Sequence, residues 1–298
     1  MTVFLIKIDF SATGRLIFHA NVMALDGKHI TLQGDIMTPE ITNTGSFPQC
    51  WEHNEDGHLY LYKKSKDFYE SEHEVIVSDI LDRLGIDHIR YENAPQKGDH
   101  ICRCRCMTED PSRVTYSEFE KYCYNQGIDP VSWIDDHFEK EFGTMLIMDY
   151  VLSNSDRHGG NWGFLYNDCG EIVKMHPLMD QNKSFDPEYS EKDIFLYQLL
   201  SVDKDISTKK LAEIAQKKIC IDFGPVLNDH SLRTRFLDTN ADYDLFLSKC
   251  QEMQKIRWRS TTPGFSSADA PVLFGGRFDK TDAKEPDTEE DRPHDKYD

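Results

Sequence analysis

The first hundred residues alternate between apolar and polar positions, with breaks at glycine and proline. Two runs near the start of the chain, FLIKIDF and GRLIFHANVMAL, have this pattern. A second pair, QCWEH and HLYLYKKS, flanks the sequence NEDG, in which Asp56-Gly57 is a strong turn dipeptide. Because successive side chains of a strand point to opposite faces, this part of the chain is predicted to be mostly strand and turn, with a hairpin around Asp56.

A helical period replaces the strand pattern at Ser71. In SEHEVIVSDILDRLGI the apolar residues recur every three or four positions, and Gly85 follows as a stop signal. Two more strand candidates come next, DHIRYE and HICRCRCMT. The second would place the thiols of Cys102, Cys104 and Cys106 on one face of a strand. No fourth ligand at zinc spacing is obvious, so we interpret these cysteines as small buried side chains.

The second half of the chain is mainly helical. Three long helices are predicted from WIDDHFEKEFGTMLIMDYVL, STKKLAEIAQKK and ADYDLFLSKCQEMQKIRW, with EDPSRVTYSEF as a connector before them. After the first of these helices come the polar segment SNSDRHGGN and two short strand-like runs, WGFLYN and EIVKMHPLM. The predicted fold class is therefore α+β, with a β-rich lobe containing one helix (1–106), a mainly helical lobe (107–260) and a flexible acidic tail (261–298).

Composition and charge narrow the classes of function. With 298 residues, of which 39 % are hydrophobic and 29 % charged, the chain resembles an ordinary soluble globular protein. No apolar run approaches the roughly 18 residues that span a bilayer, and the N-terminus lacks the pattern of a signal peptide. We therefore expect a cytoplasmic protein without a membrane partner. The net charge of −19 disfavours direct nucleic-acid binding, which requires clustered Lys and Arg.

Four groups that suit phosphoryl transfer follow one another along the chain. They are a lysine in LYLYKKS, a glutamate in SEHEV, the loop SDRHGGN, and Asp180 after the second short strand-like run. A fixed lysine would hold the phosphates of ATP, and a glutamate would hold the lysine. Mg²⁺ prefers oxygen ligands, here the amide of Asn161 and the carboxylate of Asp180. Asp156 would orient the attacking hydroxyl group and accept its proton.

The loop DRHGGN, followed by a hairpin and a further aspartate, resembles that of HipA-family serine/threonine kinases. It is also similar to the DRHxxN loop of phosphatidylinositol-type lipid kinases. TGSFP, at 44–48, is similar to the HipA phosphate-covering loop, and EVIVSDILDRLGI resembles the helix of that family's N-lobe. The resemblance covers roughly 44–185 and implies a two-lobed protein-kinase-like fold that binds ATP and Mg²⁺. It also implies a protein substrate with a Ser or Thr acceptor and an antitoxin-like partner protein, as in toxin–antitoxin pairs.

Carried onto this sequence, the resemblance assigns Asp156 as the catalytic base, with Asn161 and Asp180 as Mg²⁺ ligands. Lys63 is preferred as the ATP lysine because it is in phase with Leu59 and Leu61 on the strand, whereas Lys64 would face outward. Its partner is assigned as Glu74, with Glu72 as the second choice. The same resemblance implies a loop over the phosphates, a connector near the adenine and a bracing histidine, which are formed by Thr44, Gly45, Ser46, Phe47, Met107, Glu109 and His158.

Two alternatives remain open at this level. The sequence has Met179-Asp180-Gln181 where these kinases have D-F-G, and Gln49 where a lysine often follows the loop proline. A catalytically weak pseudokinase that binds nucleotide or a partner protein would accommodate both differences. A metal-dependent hydrolase could instead use Asp156, His158 and Asp180, together with Asn161 and His176, to activate water. That alternative requires the histidines to converge on a metal and gives Lys63 and Glu74 no role.

Overall fold

The computed structural model describes residues 2–10, 16–24, 49–65, 68–98, 100–107, 112–167, 170–186, 207–237 and 239–261. The strands are β1 (Thr2–Phe10), β2 (Leu16–Ala24), β3 (Gln49–His53), β4 (Leu59–Lys64), β5 (Tyr91–Asn93), β6 (Ile101–Arg105), β7 (Ser112–Thr115), β8 (Gly163–Tyr166) and β9 (Ile172–Met175). The helices are α1 (Phe68–Leu84), α2 (Tyr116–Gln126), α3 (Pro130–Val151), α4 (Thr208–Ile219), α5 (Gly224–Leu227), α6 (Ser231–Phe236) and α7 (Tyr243–Thr261).

The N-terminal half is built from antiparallel strands. β1 pairs with β2, and a separate four-stranded sheet has the order β3-β4-β6-β5. The predicted hairpin between β3 and β4 is present, and Gly57 takes a φ of +81°, a left-handed conformation that glycine adopts without steric cost. On β6, Cys102 and Cys104 are buried while Arg103 and Arg105 are more exposed, so the predicted alternation of this strand is confirmed.

Helix α1 is buried on two sides. Val75 packs with Tyr91, Cys102 and Cys104 beneath the four-stranded sheet. The next positions of the helix enter the main hydrophobic core, which also contains the inner faces of the C-terminal helices; these positions are Ile76, Val77, Ile80 and Leu81. A helix that is apolar on more than one face is typical of a buried element. Helix α1 is therefore held by both halves of the chain.

Local sequence signals determine where the central helices begin. The side chain of Thr115 accepts a hydrogen bond from Glu118 N, and the Glu118 side chain accepts one from Thr115 N, which forms a capping box at the start of α2. Asp129 caps α3, whose first residue is Pro130. The second half of α3, from Phe142 onward, is almost wholly buried and packs against α4 and α7. This helix leads directly into the polar segment SNSDRHGGN.

The predicted connector EDPSRVTYSEF is wrong in part, because Ser112–Thr115 forms strand β7. This strand pairs with β8, and β8 pairs with β9, in an antiparallel sheet of order β7-β8-β9. The strand candidate DHIRYE is also only partly a strand, since β5 begins at Tyr91. Its first residues instead make an isolated parallel bridge between His88 and Leu178. Both differences arise from pairing with residues far away in the sequence, which a local pattern does not contain.

The described elements form the α+β arrangement that the sequence predicted, with a β-rich N-terminal part containing one helix and a mainly helical C-terminal part. The phosphate-loop positions 44–47, Glu109 and the tail beyond Thr261 lie outside the described residues. The lobe boundaries stay predictions. Among the described helices, none combines the length and the apolar composition needed to cross a membrane.

We expect the substitution Gly163→Ala to destabilise the protein by about 1–3 kcal/mol, because it overpacks the contact between β7 and β8. A Cβ atom at this position would lie 2.2 Å from the carbonyl oxygen of Val114. Urea denaturation measures the effect. Gly224→Ala is the control, since its Cβ would meet the side chain of Asp222, whose nearest atom is an oxygen at 3.1 Å. Equal stabilities of the two variants would contradict the expectation.

Candidate active site

Three charged side chains from distant parts of the chain meet at one point. The Nζ atom of Lys63 lies 3.0 Å from Glu74 Oε1 and 2.9 Å from Asp180 Oδ1. Lys63 comes from β4, Glu74 from α1, and Asp180 follows β9. A single lysine therefore joins the four-stranded sheet, the helix beside it and the C-terminal half of the chain.

The strand phase of β4 explains the choice of lysine. Lys63 has a side-chain exposure of only 12 %, whereas Lys64 is exposed. Burial alone would lower the pKa of Lys63, but the carboxylates of Asp180 and Glu74 outweigh it and raise that pKa well above its ordinary value. Burial likewise opposes the charged form of Asp180, yet Lys63 lowers the pKa of this carboxyl group overall. The lysine and the aspartate thus stabilise one another in their ionised forms.

Backbone contacts fix Asp180 relative to α1. Glu74, whose side chain is 1 % exposed, uses its second oxygen to accept a hydrogen bond from the backbone N of Gln181, at 2.9 Å. Just before this point, Ile89 N donates to Leu178 O at 2.8 Å, within the His88–Leu178 bridge. Asp180 itself has a φ of +57°, which is uncommon for a residue with a side chain. Such strained conformations are typical of functional sites.

The loop DRHGGN brings Asp156 and Asn161 close to each other. Asn161 Nδ2 donates to Asp156 O at 2.6 Å, and Asn161 Oδ1 accepts from His158 N at 3.1 Å. Burial raises the pKa of Asp156, and the negative charge of Asp180 adds to this effect, while His158 acts in the opposite direction. Among the described residues, none donates a hydrogen bond to the carboxylate of Asp156. That carboxylate can accept a proton from a ligand.

A buried arginine that the sequence reasoning missed holds this loop in place. Arg157 is 2 % exposed and makes two 2.9 Å hydrogen bonds to the carboxylate of Asp149 on α3. Its remaining donor atom Nη1 reaches Asn161 O at 3.1 Å and Met179 O at 2.9 Å. The guanidinium group suits this role because its donors are fixed in one plane. Arg157 therefore links α3, the loop and the residue before Asp180.

A second polar side chain, Asn154, extends the same network. Its Nδ2 donates to Asp149 Oδ1 at 3.2 Å and to Gln181 Oε1 at 3.1 Å, and its Oδ1 accepts from Asp156 N at 3.1 Å. The sequence did contain a signal for this network. Asp149 interrupts the apolar run TMLIMDYVL, and a buried carboxylate requires a charged or hydrogen-bonding partner. The identity of that partner was not readable from the pattern.

The remaining predicted site residues lie in several places. Met107 is half-buried two residues after the end of β6, and Glu72 is half-buried on α1 without reaching Lys63. His158 is exposed, and its Nδ1 accepts a hydrogen bond from Gly160 N. Arg157 makes further contacts that brace the loop, and the bracing role of His158 stays a prediction. Positions 44–47 and Glu109, which lie outside the described residues, stay predictions.

The oxygen atoms at the site fit a hard cation. The Asp180 carboxylate and the Asn161 amide oxygen belong to the ligand types that Mg²⁺ prefers. The hydrolase alternative needed His158 and His176 to converge, but His176 is buried with its Nδ1 donating to Pro177 O at 2.8 Å, while His158 is exposed. Within the described ranges, no three His, Cys, Asp or Glu side chains form a group that could hold a metal ion.

The lysine–glutamate pair, the DRHGGN loop and the aspartate beyond the β8–β9 hairpin follow one another along an α+β chain, as the sequence predicted. The structure is similar to the proinflammatory kinase CtkA of Helicobacter pylori, with a TM-score of 0.49 and 17 % identity over 74 % of this chain and 92 % of that chain.

Two further solved structures are similar. One is HipA of Shewanella oneidensis MR-1, in complex with HipB and its operator DNA, with a TM-score of 0.39 and 12 % identity. The match covers 72 % of this chain and 64 % of HipA, slightly less than two thirds of its length. For the maize SIRK1 kinase domain bound to AMP-PNP, the TM-score is 0.28 at 12 % identity, over 76 % and 85 %. No protein-family model and no curated protein matches the chain. Because these TM-scores lie below 0.5, the site's own contacts carry the functional proposal.

We expect Arg157→Ala to lower the free energy of unfolding by about 3–5 kcal/mol, because it leaves the Asp149 carboxylate buried without its partner. The double variant Arg157→Ala/Asp149→Ala removes both charges. Its loss of unfolding free energy should be much smaller than the sum of the losses in the two single variants. Urea denaturation of the four proteins measures this coupling. Additive effects would show that the pair does not act as a unit.

Proposed function

We propose that this chain is an ATP- and Mg²⁺-dependent phosphotransferase, acting as a HipA-like protein serine/threonine kinase. The observation that carries the proposal is the contact of Lys63 Nζ with both Glu74 and Asp180, at 3.0 and 2.9 Å. A solvated surface lysine has no need of a buried and a half-buried carboxylate from different halves of the chain. A lysine that must hold phosphate groups at a fixed position does need such support.

The charges of the site suit a bound nucleotide with its metal ion. Lys63 would hold the phosphates of ATP, with Glu74 fixing the lysine from α1. Asn161 and Asp180 would hold Mg²⁺, which when bound neutralises part of the phosphate charge. The Lys63–Asp180 ion pair keeps both groups ionised in the absence of a ligand, so that each is already in the charge state that binding requires.

Asp156 would act on the acceptor. In the proposed step, a Ser or Thr hydroxyl oxygen forms a bond to the γ-phosphorus while the bond to the leaving ADP oxygen breaks, and the hydroxyl proton passes to the Asp156 carboxylate. The half-buried position of Asp156 and its raised pKa both favour its use as a proton acceptor. Arg157 and Asn154 support this role by fixing the backbone on both sides of Asp156.

The nature of the acceptor is also a proposal. A protein Ser or Thr hydroxyl is proposed as the acceptor because the DRHGGN loop resembles that of HipA-family kinases. An antitoxin-like partner protein and a cytoplasmic location belong to the same hypothesis. The pseudokinase alternative is a catalytically weak domain that binds nucleotide or a partner protein. It differs from the kinase in the absence of transfer, so that measurements of binding and of transfer together separate the two.

We expect Mg²⁺-dependent binding of ATP, and we expect Asp180→Ala to abolish that dependence. A ligand at 100 times its Kd stabilises the native state by about 2.7 kcal/mol, which raises the melting temperature. Thermal melting with Mg-ATP, with ATP plus chelator and without nucleotide measures this. Asp136→Ala is the matched control, because Asp136 is an exposed aspartate in the first half of α3. An Asp180→Ala chain with the full Mg²⁺-dependent shift would exclude the metal role of Asp180.

Asp156→Asn should lower the rate of phosphoryl transfer by roughly 10²–10⁴-fold, because the amide cannot accept the proton. Binding of Mg-ATP should stay close to that of the unmodified chain. Transfer from γ-labelled ATP to the chain itself and to a library of Ser- and Thr-containing peptides measures the rate. Unchanged transfer by the variant would show that another group is the base, and binding without transfer in the unmodified chain would favour the pseudokinase.

A further inference from the structure

Helix α1 carries a second glutamate–lysine pair, one turn before the first. Glu70 and Glu74 are four residues apart and therefore lie on the same face of the helix. Glu70 Oε1 is 2.5 Å from Lys183 Nζ, just as Glu74 Oε1 is 3.0 Å from Lys63 Nζ. Both glutamates are nearly inaccessible, with side-chain exposures of 9 % and 1 %. The two glutamates of the helix thus hold two lysines side by side, one from each half of the chain.

Lys183 is placed where a cation would affect phosphoryl transfer. It lies three residues after Asp180, and its backbone carbonyl accepts a hydrogen bond from Ser155 N at 3.4 Å, directly before Asp156. The side chain is 43 % exposed. Its exposed part can therefore contact a ligand while Glu70 holds the ammonium group from the other side.

A small cavity lies beside Lys63 and the two glutamates. Its lining includes Lys63, Glu70, Glu74 and Asn182, together with Ser71. Three of the polar atoms here are buried and have no hydrogen-bond partner, namely Glu70 Oε2, Ser71 Oγ and Asn182 Oδ1. Buried polar groups without partners are costly and uncommon in native proteins. Glu70 Oε2 and Asn182 Oδ1 are acceptors, so that a hydrogen-bond donor, such as a lysine ammonium group, would complete them.

We propose that Lys183 is a second phosphate-binding lysine, held by Glu70 as Lys63 is held by Glu74, and that it contacts the γ-phosphoryl group of bound ATP. The inference rests on the proposed kinase function. The γ position follows from the geometry, because Lys183 adjoins the Ser155–Asp156 backbone, where the acceptor hydroxyl would be oriented. An ammonium group on a flexible stem is well suited to a phosphoryl group whose oxygens carry the negative charge of the transition state.

The competing explanation is that the Glu70–Lys183 pair only fastens α1 to the segment after Asp180. A structural pair would affect the melting temperature and would not distinguish between nucleotides. A contact to the γ-phosphoryl group, in contrast, contributes to the binding of ATP and contributes nothing to that of ADP. The ratio of the two dissociation constants is therefore the decisive quantity.

The experiment compares the Kd values of Mg-ATP and Mg-ADP by calorimetry for the unmodified chain, Lys183→Ala, Lys183→Arg and Lys218→Ala. Lys218 is the matched control, because it forms an ion pair with Glu139 on the helical part of the chain. Lys183→Ala should lower the preference for ATP over ADP about tenfold, because the loss of one hydrogen bond to a charged group has an effect of this size. Lys183→Arg should keep most of this preference, and Lys218→Ala all of it.

Glu70→Gln provides a second variant that keeps the positive charge. It should lower the rate of phosphoryl transfer while reducing the ATP preference by less than Lys183→Ala does, since the lysine remains but is no longer held. An unchanged ATP/ADP ratio in Lys183→Ala, with normal nucleotide binding, would overturn this inference and leave the proposed function intact. An unmodified chain that binds no Mg-ATP would overturn the proposed function, and this inference with it.

Discussion

The structure depends on the burial of Lys63 between two carboxylates. A lysine taken out of water must be paired, and here its partners come from α1 and from the segment after β9. Such buried ion pairs contribute little net stability, because the cost of removing the charges from water offsets their attraction. Their effect is on the relative position of the parts that they join. The sheet, the helix and the C-terminal half can together pair the Lys63 ammonium group with both carboxylates only in one relative position. The same position is the one that a phosphate-binding lysine requires.

A second buried pair, Arg157–Asp149, fixes the position of the DRHGGN loop, as Lys63 fixes the position of the sheet relative to the C-terminal half. The planar guanidinium group satisfies a carboxylate on α3 and two backbone carbonyls at the same time, so that it fixes both the Asn161 end of the loop and the approach to Asp180. Asn154 and Gln181 complete the network with neutral groups. Because each member shares partners with the next, the network is expected to respond as a unit to the loss of any one of them.

Helix α1 transmits these constraints between the two halves of the chain. One face packs under the four-stranded sheet, another enters the main core, and a third carries Glu70 and Glu74 towards the segment 180–183. The proposed roles of Lys63 and Lys183 both follow from this arrangement, since each lysine is oriented by a glutamate on a rigid element. A site supported by a packed helix is held more precisely than one formed by loops alone.

The sequence by itself determined the elements whose signals are local. The periodicity of α1 and of the later helices, the turn at Asp56-Gly57 and the phase that buries Lys63 were all predicted, because each depends on neighbouring residues. Tertiary structure decided the rest. The preference of Lys63 for Glu74 over Glu72 was only a first choice, and strand β7, the His88–Leu178 bridge and the partner of Asp149 were not predicted. These features arise from contacts between residues far apart in the chain, such as the 117 positions between Lys63 and Asp180. A local pattern shows that a buried charge needs a partner, but only the folded chain determines which residue can reach it.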